Sequence, residues 1–201
     1  MPLTGIKEQG PEYYAEAMSA RMYTKSWRKT SYHILWEWAV DILGDVKIYE
    51  LGCGTGQFAE MCFEKGIDYI GGSDFCESNI INAKLINEDH KEVFEVADAY
   101  KVKLPPSDVV VVMFEMLEHL RDDAALMKRL MRHRVAFSVP SYGDISHVRV
   151  YLSEEEIRQR FRGILEIEEI KVFQQGDGIF GDKRWLYGVI ANGIRKDNSS
   201  K

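Results

Sequence analysis

Ile48-Tyr49-Glu50-Leu51-Gly52-Cys53-Gly54-Thr55-Gly56-Gln57-Phe58 is the stretch on which the reading of the fold turns. A short apolar run ends in three alternating glycines, and a helical pattern through Phe58, Ala59, Met61 and Cys62 follows. That order predicts a strand, a tight turn and the start of a helix. Glycine suits a turn that needs positive φ, or a ligand lying against bare backbone. The helix beyond it opens with N–H groups that have no partner inside the helix. In an open α/β sheet, ligands bind at the carboxyl ends of the strands.

Two kinds of cofactor use such a turn. The dinucleotide pattern G-x-G-x-x-G needs a third glycine for close helix–strand packing. Counted from Gly52 that position is Gln57, so the pattern fails. What stands instead is E-x-G-x-G-x-G, from Glu50 to Gly56. This resembles the first motif of the class I S-adenosylmethionine-dependent methyltransferases. The resemblance implies an α/β fold, a Rossmann-like seven-stranded, mostly parallel sheet with helices on both faces and an antiparallel last strand. It also implies that Glu50, Gly52, Cys53, Gly54 and Gly56 lie along the methionine and ribose portions of the cofactor S-adenosylmethionine. A structural turn leaves a similar glycine triplet, so the later motifs decide.

Ile67–Ile70 reads as a second strand, with Gly71-Gly72-Ser73-Asp74-Phe75 at its carboxyl end. A carboxylate at such a tip can accept both hydroxyl hydrogens of a ribose; the alternative for Asp74 is a turn or N-cap aspartate. Phe75 packs on the adenine or on the core. A helix over 79–87 leads to a third strand, Val93–Val96, which ends in Ala97-Asp98-Ala99. The family resemblance implies that Asp98 meets the adenine amino group beside the Ala99 amide, against a solvent-facing loop aspartate. It likewise places Asn79, Phe114 and Glu115 along the cofactor.

After Pro105-Pro106-Ser107 the run Asp108–Phe114 is continuously apolar, as in a strand buried on both faces. It leads into Glu115-Met116-Leu117-Glu118-His119. The E-x-x-E-H pattern resembles the ubiquinone-biosynthesis O-methyltransferases and the small-RNA 3′-terminal 2′-O-methyltransferases. In that likeness Glu115, Glu118, His119 and a later histidine hold a divalent metal. His147 stands in the matching place, between a fifth strand (Val135–Val139) and the capping box Ser153-Glu154-Glu155-Glu156. Carboxylate and imidazole ligands suit magnesium, manganese or zinc without singling one out. Metal-free readings stand beside it: His119 as general base, Glu118-His119 as a loop pair, His147 as a hydrogen-bonding residue. With an oxygen acceptor, Glu115, Glu118, His119 and His147 lie nearest the transfer, and His119, Glu118 and His147 are the catalytic candidates. Met131-Arg132-His133-Arg134 departs from the Pro-Gly-Gly-like turn usual before the fifth strand, and His33, His90 and His133 have no motif around them.

Ahead of the glycine turn, Tyr13, Tyr14, Tyr23, Trp27 and Tyr32 lie among Met18, Met22, Arg21, Lys25, Arg28 and Lys29. Pro11 opens a helix. Tyr32, Leu35, Trp36, Ala39, Ile42 and Leu43 fall on one face of a second, closed by Gly44. These aromatics are core packing, or a lid over the cofactor. The division expected is a helical lid segment over 1–44, a cofactor-binding domain over 45–195 and a disordered polar tail over 196–201. Two late strands, Ile164–Phe173 and Trp185–Ile190, follow one another without a helix and should pair antiparallel.

A chain of 201 residues suits one domain with a sizeable core. Its net charge of −6 disfavours a general nucleic-acid binder. Three cysteines without C-x-x-C spacing fit neither a disulfide framework nor a zinc cluster. Without an apolar leader or a membrane-length run, a soluble cytoplasmic protein is expected. The reading is a methyltransferase acting on an oxygen of a small-molecule acceptor. The rivals are an RNA 2′-O-methyltransferase, a non-catalytic cofactor-binding module and, disfavoured by Gln57, a nicotinamide-dependent oxidoreductase. Oligomeric state and acceptor identity are not legible.

Overall fold

The computed structural model describes residues 3, 7–18, 26–177 and 183–194. Expectations for Arg21, Met22, Tyr23, Lys25, the Met18 side chain and the 196–201 tail lie outside the described residues. The strands are β1 (Ile48–Leu51), β2 (Tyr69–Asp74), β3 (Phe94–Val96), β4 (Val110–Met113), β5 (Arg134–Pro140), β6 (Leu165–Asp177) and β7 (Lys183–Gly193). They form one seven-stranded sheet in the order β3-β2-β1-β4-β5-β7-β6. The first five run parallel, and β7 runs antiparallel to both β5 and β6. This is the fold class the sequence predicts.

The helices are α1 (Pro11–Met18), α2 (His33–Leu43), α3 (Gln57–Glu64), α4 (Glu77–Ile86), α5 (Asp123–Arg129) and α6 (Glu154–Arg160). Strand alternation sends successive side chains to opposite faces. Ile48 joins Trp36, Leu43, Phe58, Met61 and Ile80 in one core, beneath α2, α3 and α4. Tyr49 and Leu51 join Leu126, Met127, Ile157 and Phe161 in the other, beneath α5 and α6. The sheet is thus covered on both sides, as parallel strands require. At the start of α6 the Ser153 hydroxyl accepts from the Glu156 N–H at 3.2 Å. The Glu156 carboxylate reaches back to the Leu152 N–H at 3.0 Å, one residue earlier than a standard capping box.

Two local expectations need correction. The second strand covers 69–74, not 67–70, so Gly71 and Gly72 lie within it. They are glycines because the sheet is crowded there: a Cβ on Gly72 would stand 2.1 Å from the Tyr69 hydroxyl, and one on Gly71 would stand 2.8 Å from the Tyr49 ring. On α2, Ile42 is 40% exposed, whereas Trp38 and Val40 are buried. Trp38 packs edge-on against Phe173 of β6 at 5.5 Å and donates to Glu169 at 3.2 Å. The long β6–β7 pair therefore covers a face of α2 that periodicity leaves to solvent. The three motif-less histidines are structural or superficial: His133 is buried beside the Pro105 carbonyl, His33 bonds the Thr30 carbonyl, and His90 is exposed and stacks on Phe63.

Asp123 carries a feature with no sequence motif. Fully buried, it accepts from Tyr151 and Arg160 and pairs with Arg149 at 3.1 Å. Arg149 in turn donates to the Arg121 carbonyl at 3.0 Å, and the Val148 N–H donates to the Glu118 carbonyl at 2.8 Å. This network fastens the segment carrying His147 to the turn carrying His119.

Candidate functional site

Strand order reverses between β1 and β4, and the carboxyl ends of those strands open a cleft, the usual ligand position in such sheets. There a cavity of about 500 Å³ lies between the glycine loop, the tips of β2, β3 and β4, the 142–147 segment and α1. Glu50, Gly52, Cys53, Gly54, Asp74, Phe75, Asn79, Asp98, Ala99, Phe114, Glu115, Glu118, His119 and His147 all line it. Gly56 does not. It caps α3 with φ 78° and backs onto α4, where Asn87 donates to its carbonyl at 3.1 Å.

The glycine spacing has a backbone cause. Gly52, Gly54 and Gly56 have φ values of 73°, 53° and 78°, a region costly for side chains. The loop is held on β2: the Gly52 and Cys53 N–H groups donate to the Ser73 carbonyl at 2.7 and 3.0 Å. The Gly54 N–H donates to one Asp74 oxygen at 3.0 Å, and the Cys76 N–H to the other at 2.8 Å. Asn79 Nδ2 also donates to the second of these oxygens at 3.4 Å, so Asp74 is a turn aspartate that lines the cavity. Burial pushes its carboxyl up, against the pull of those two amides. Glu50, buried at the end of β1, accepts from the Tyr69 hydroxyl at 2.9 Å, and burial pushes it up to about 8. Asp98 accepts from the Tyr100 N–H at 2.9 Å and pairs with Lys101 at 2.9 Å. Burial works against its ionisation, yet Lys101 and the Tyr100 amide together hold it below the usual carboxylate range.

Past β4 the chain turns sharply. Glu115 has φ 51°, the only non-glycine positive value among the described residues, a strained conformation of the kind held at functional sites. Ser138 on β5 fixes it. The serine oxygen accepts from the Glu115 N–H at 2.9 Å, and its hydroxyl donates to the Glu115 carboxylate at 2.8 Å. Burial raises the Glu115 carboxyl to about 7.

Glu118, His119 and His147 bring one ligating atom each to within 4.8 Å of one another. Of the four residues the sequence grouped, Glu115 stands outside this cluster, its carboxylate turned to Ser138. His119 Nδ1 lies 3.1 Å from the Ser146 carbonyl, and His147 Nδ1 lies 3.0 Å from the Tyr142 carbonyl. A carbonyl only accepts, so each Nδ1 carries the hydrogen and each Nε2 keeps its lone pair. Burial pushes the His119 imidazole down to about 4 and lowers His147 as well, so both are neutral at physiological pH. Glu118 is wholly buried, and neither oxygen finds a hydrogen-bond partner on another residue. Burial, then the Glu115 charge, drive its carboxyl well above the usual range.

The structure adds cavity residues that no motif signalled: Thr55, Gln57, Tyr100, Tyr142, Asp144 and Ser146. Thr55 lies inside the glycine motif, where the sequence reading passed over it. Tyr142 and Ser146 are reached through the histidines whose Nδ1 their carbonyls take. Four aromatics of the N-terminal segment, Tyr13, Tyr14, Tyr32 and Trp36, also line the cavity. Tyr14 of α1 lies edge-on to Phe75 at 5.4 Å and to His119 at 5.7 Å, while Trp36 is a core residue at the cavity wall.

A switch-point cleft with a triple-glycine loop and a strand-tip aspartate supports the reading as a class I S-adenosylmethionine-dependent methyltransferase domain. Residues 49–134 match the family described as a methyltransferase domain. A ubiquinone biosynthesis O-methyltransferase of Neisseria meningitidis is 30% identical over 88 residues, covering 41% of this chain and 37% of that one. The chain thus spans about a third of the length of the curated relatives it matches. Among solved structures, magnesium protoporphyrin IX methyltransferase from Synechocystis, with bound S-adenosylmethionine, aligns with TM-score 0.67 at 13% identity, over 90% of this chain and 94% of that one. An S-adenosylmethionine-dependent methyltransferase from Mesorhizobium loti aligns with TM-score 0.62 at 17% identity, over 83% and 100%. Among the described residues no helix is long and apolar enough to cross a membrane.

Proposed function

We propose that this protein transfers the methyl group of S-adenosylmethionine to an oxygen of a small-molecule acceptor, with a divalent cation assisting. The observation that carries the acceptor chemistry is the Glu118–His119–His147 cluster, bordering the same cavity as the glycine loop and Asp74. Its donor set fits a cation. A fully buried carboxylate lacks hydrogen-bond partners on other residues, and two neutral imidazoles are oriented through Nδ1 so that Nε2 is available. Glu118, His119 and His147 would hold magnesium, manganese or zinc. The cation would lower the pKa of an acceptor hydroxyl and orient it.

The remaining work is positioning, which suits a displacement at a sulfonium methyl. Asp74 offers acceptor lone pairs to the ribose, Asp98 to the adenine amine, and the bare glycine loop lets the cofactor approach. Neutral His119 also offers Nε2 as a proton acceptor beside Glu118, 3.7 Å away. Tyr14, between Phe75 and His119, closes the side nearest α1 and makes the N-terminal segment the acceptor cover.

The likeness to the ubiquinone biosynthesis O-methyltransferase supports an oxygen acceptor. The lining supports a small one: among the described residues seven acidic side chains, Glu8, Glu50, Asp74, Asp98, Glu115, Glu118 and Asp144, border the cavity, and no lysine or arginine does. That is a poor surface for a polyanion such as RNA. The test is transfer of labelled methyl from S-adenosylmethionine to catechol, to small phenols and amines, and to an RNA oligonucleotide. Each is run with chelator and with each of the three cations. Transfer to a phenolic oxygen that requires cation and is lost in His147→Ala supports the reading. Transfer only to an amine or to RNA overturns the acceptor class. Cofactor binding without transfer to any of them favours a non-catalytic binding module.

A further inference from the structure

S-adenosylmethionine carries an ammonium and a carboxylate on its amino-acid end. The acidic lining answers the ammonium and leaves the carboxylate without a cationic partner among the described residues of the wall. The loop backbone is largely committed: the Gly52, Cys53, Gly54 and Gly56 N–H groups already donate to the Ser73 carbonyl, the Asp74 carboxylate and the Cys53 carbonyl. Two neutral donors on the same wall are different. The Trp36 indole N–H and the Thr55 hydroxyl are sealed from water by their surroundings and have no hydrogen-bond partner. Buried donors without partners are rare and call for a specific explanation. An indole N–H can only donate. Trp36 is itself firmly placed, with its ring 5.9 Å from Phe58 and 6.5 Å from Phe114, and Thr55 lies within the glycine motif.

Resting on the cofactor reading above, we propose that Trp36 and Thr55 are the carboxylate-binding residues of the cofactor's amino-acid end. α2 thereby becomes part of the cofactor site rather than packing alone. Neutral donors bind a carboxylate without adding positive charge beside the ammonium and the sulfonium. They also make the site discriminate between a thioether nucleoside that carries the amino-acid tail and one that lacks it.

The test compares S-adenosylhomocysteine with 5′-methylthioadenosine, which has the same adenosine and sulfur but no amino-acid tail. Both are titrated calorimetrically into the wild-type chain, Trp36→Phe and Thr55→Val, with thermal melting as a fold check. Trp36→Phe keeps an aromatic ring and removes the N–H; Thr55→Val removes the hydroxyl with little change of shape. Each variant is expected to lose about ten- to a hundredfold in S-adenosylhomocysteine affinity, the scale of one hydrogen bond to a charged group, and less than about twofold for methylthioadenosine. Equal losses for both ligands would mean that the substitutions disturb the pocket generally, and unchanged S-adenosylhomocysteine affinity would mean that the donors are not used. Either result overturns the assignment while the cofactor reading stands. Failure of the folded wild-type chain to bind either ligand overturns the cofactor reading and the assignment with it.

Discussion

Glu118→Gln should make the metal-free protein more stable while abolishing its response to metal. Glu118 is fully buried, beside Glu115, with no hydrogen-bond partner on another residue for either oxygen. A buried unsatisfied group of this kind costs roughly 1–3 kcal/mol. In glutamine the carboxylate becomes an amide whose N–H groups can donate to Glu115 or to an imidazole Nε2. The sign of the pH effect follows from the raised carboxyl. Glu118 binds its proton more tightly in the folded than in the unfolded chain, so the folded state is favoured at low pH. That advantage is lost as pH rises from the unfolded value toward and through the folded one. With chelator at pH 8, relief of about 1–3 kcal/mol corresponds to a Tm higher than wild type by roughly 2–12 °C for a chain of this size. The gap should narrow toward pH 5. Adding manganese or zinc should raise the wild-type Tm and leave Glu118→Gln unmoved. The assay is thermal melting across pH 5–9, with chelator and with each cation. A variant that melts below wild type at pH 8 without metal would refute the reasoning, because Glu118 would then be supplying stability rather than storing a cost for ligand binding.

Asp123→Asn should be strongly destabilising, since it leaves buried Arg149 short of its counter-charge. Breaking a buried pair costs about 3–5 kcal/mol, to be read from the urea midpoint, and a loss under about 1 kcal/mol would deny the network its structural weight. Gly72→Ala should cost about 1–3 kcal/mol, because the new methyl would overlap the Tyr69 hydroxyl and disrupt its bond to Glu50; a wild-type melting curve would contradict the crowding argument. Asp74→Ala should weaken S-adenosylhomocysteine binding by about a hundredfold or more. Two hydroxyl bonds to a charged acceptor are worth roughly 3–6 kcal/mol together, and unchanged affinity by calorimetry would remove the ribose role.

How far the chain explains itself differs by region. The E-x-G-x-G-x-G loop, Asp74 and the β4 run were legible because their causes are local: positive φ at three glycines, a strand tip, a strand buried on both faces. The seven strands and the antiparallel end followed from the same local patterns. The course of β2 was not legible, because Gly71 and Gly72 answer to tyrosine rings rather than to their own backbone preference. Nor was the Asp123 network, whose Arg149 and Arg160 partners come together only when the segment carrying Arg149 and the end of α6 both meet the start of α5. At the candidate site the E-x-x-E-H spacing singled out Glu115, Glu118 and His119. What separates Glu115 from the other two is a hydroxyl on β5, Ser138, that no reading of the β4 turn alone contains. The exposure of Ile42 and the burial of Trp38 show the same limit, since the β6–β7 pair decides which face of α2 is covered.

The central claim is that the Glu50–Gly56 loop and Asp74 form an S-adenosylmethionine site. The most direct test is a calorimetric titration of the folded wild-type chain with S-adenosylmethionine and S-adenosylhomocysteine. The account predicts one site per chain with micromolar-range affinity, about 8 kcal/mol. An absence of binding by either ligand to protein shown to be folded would contradict it, leaving the glycine loop as a structural turn.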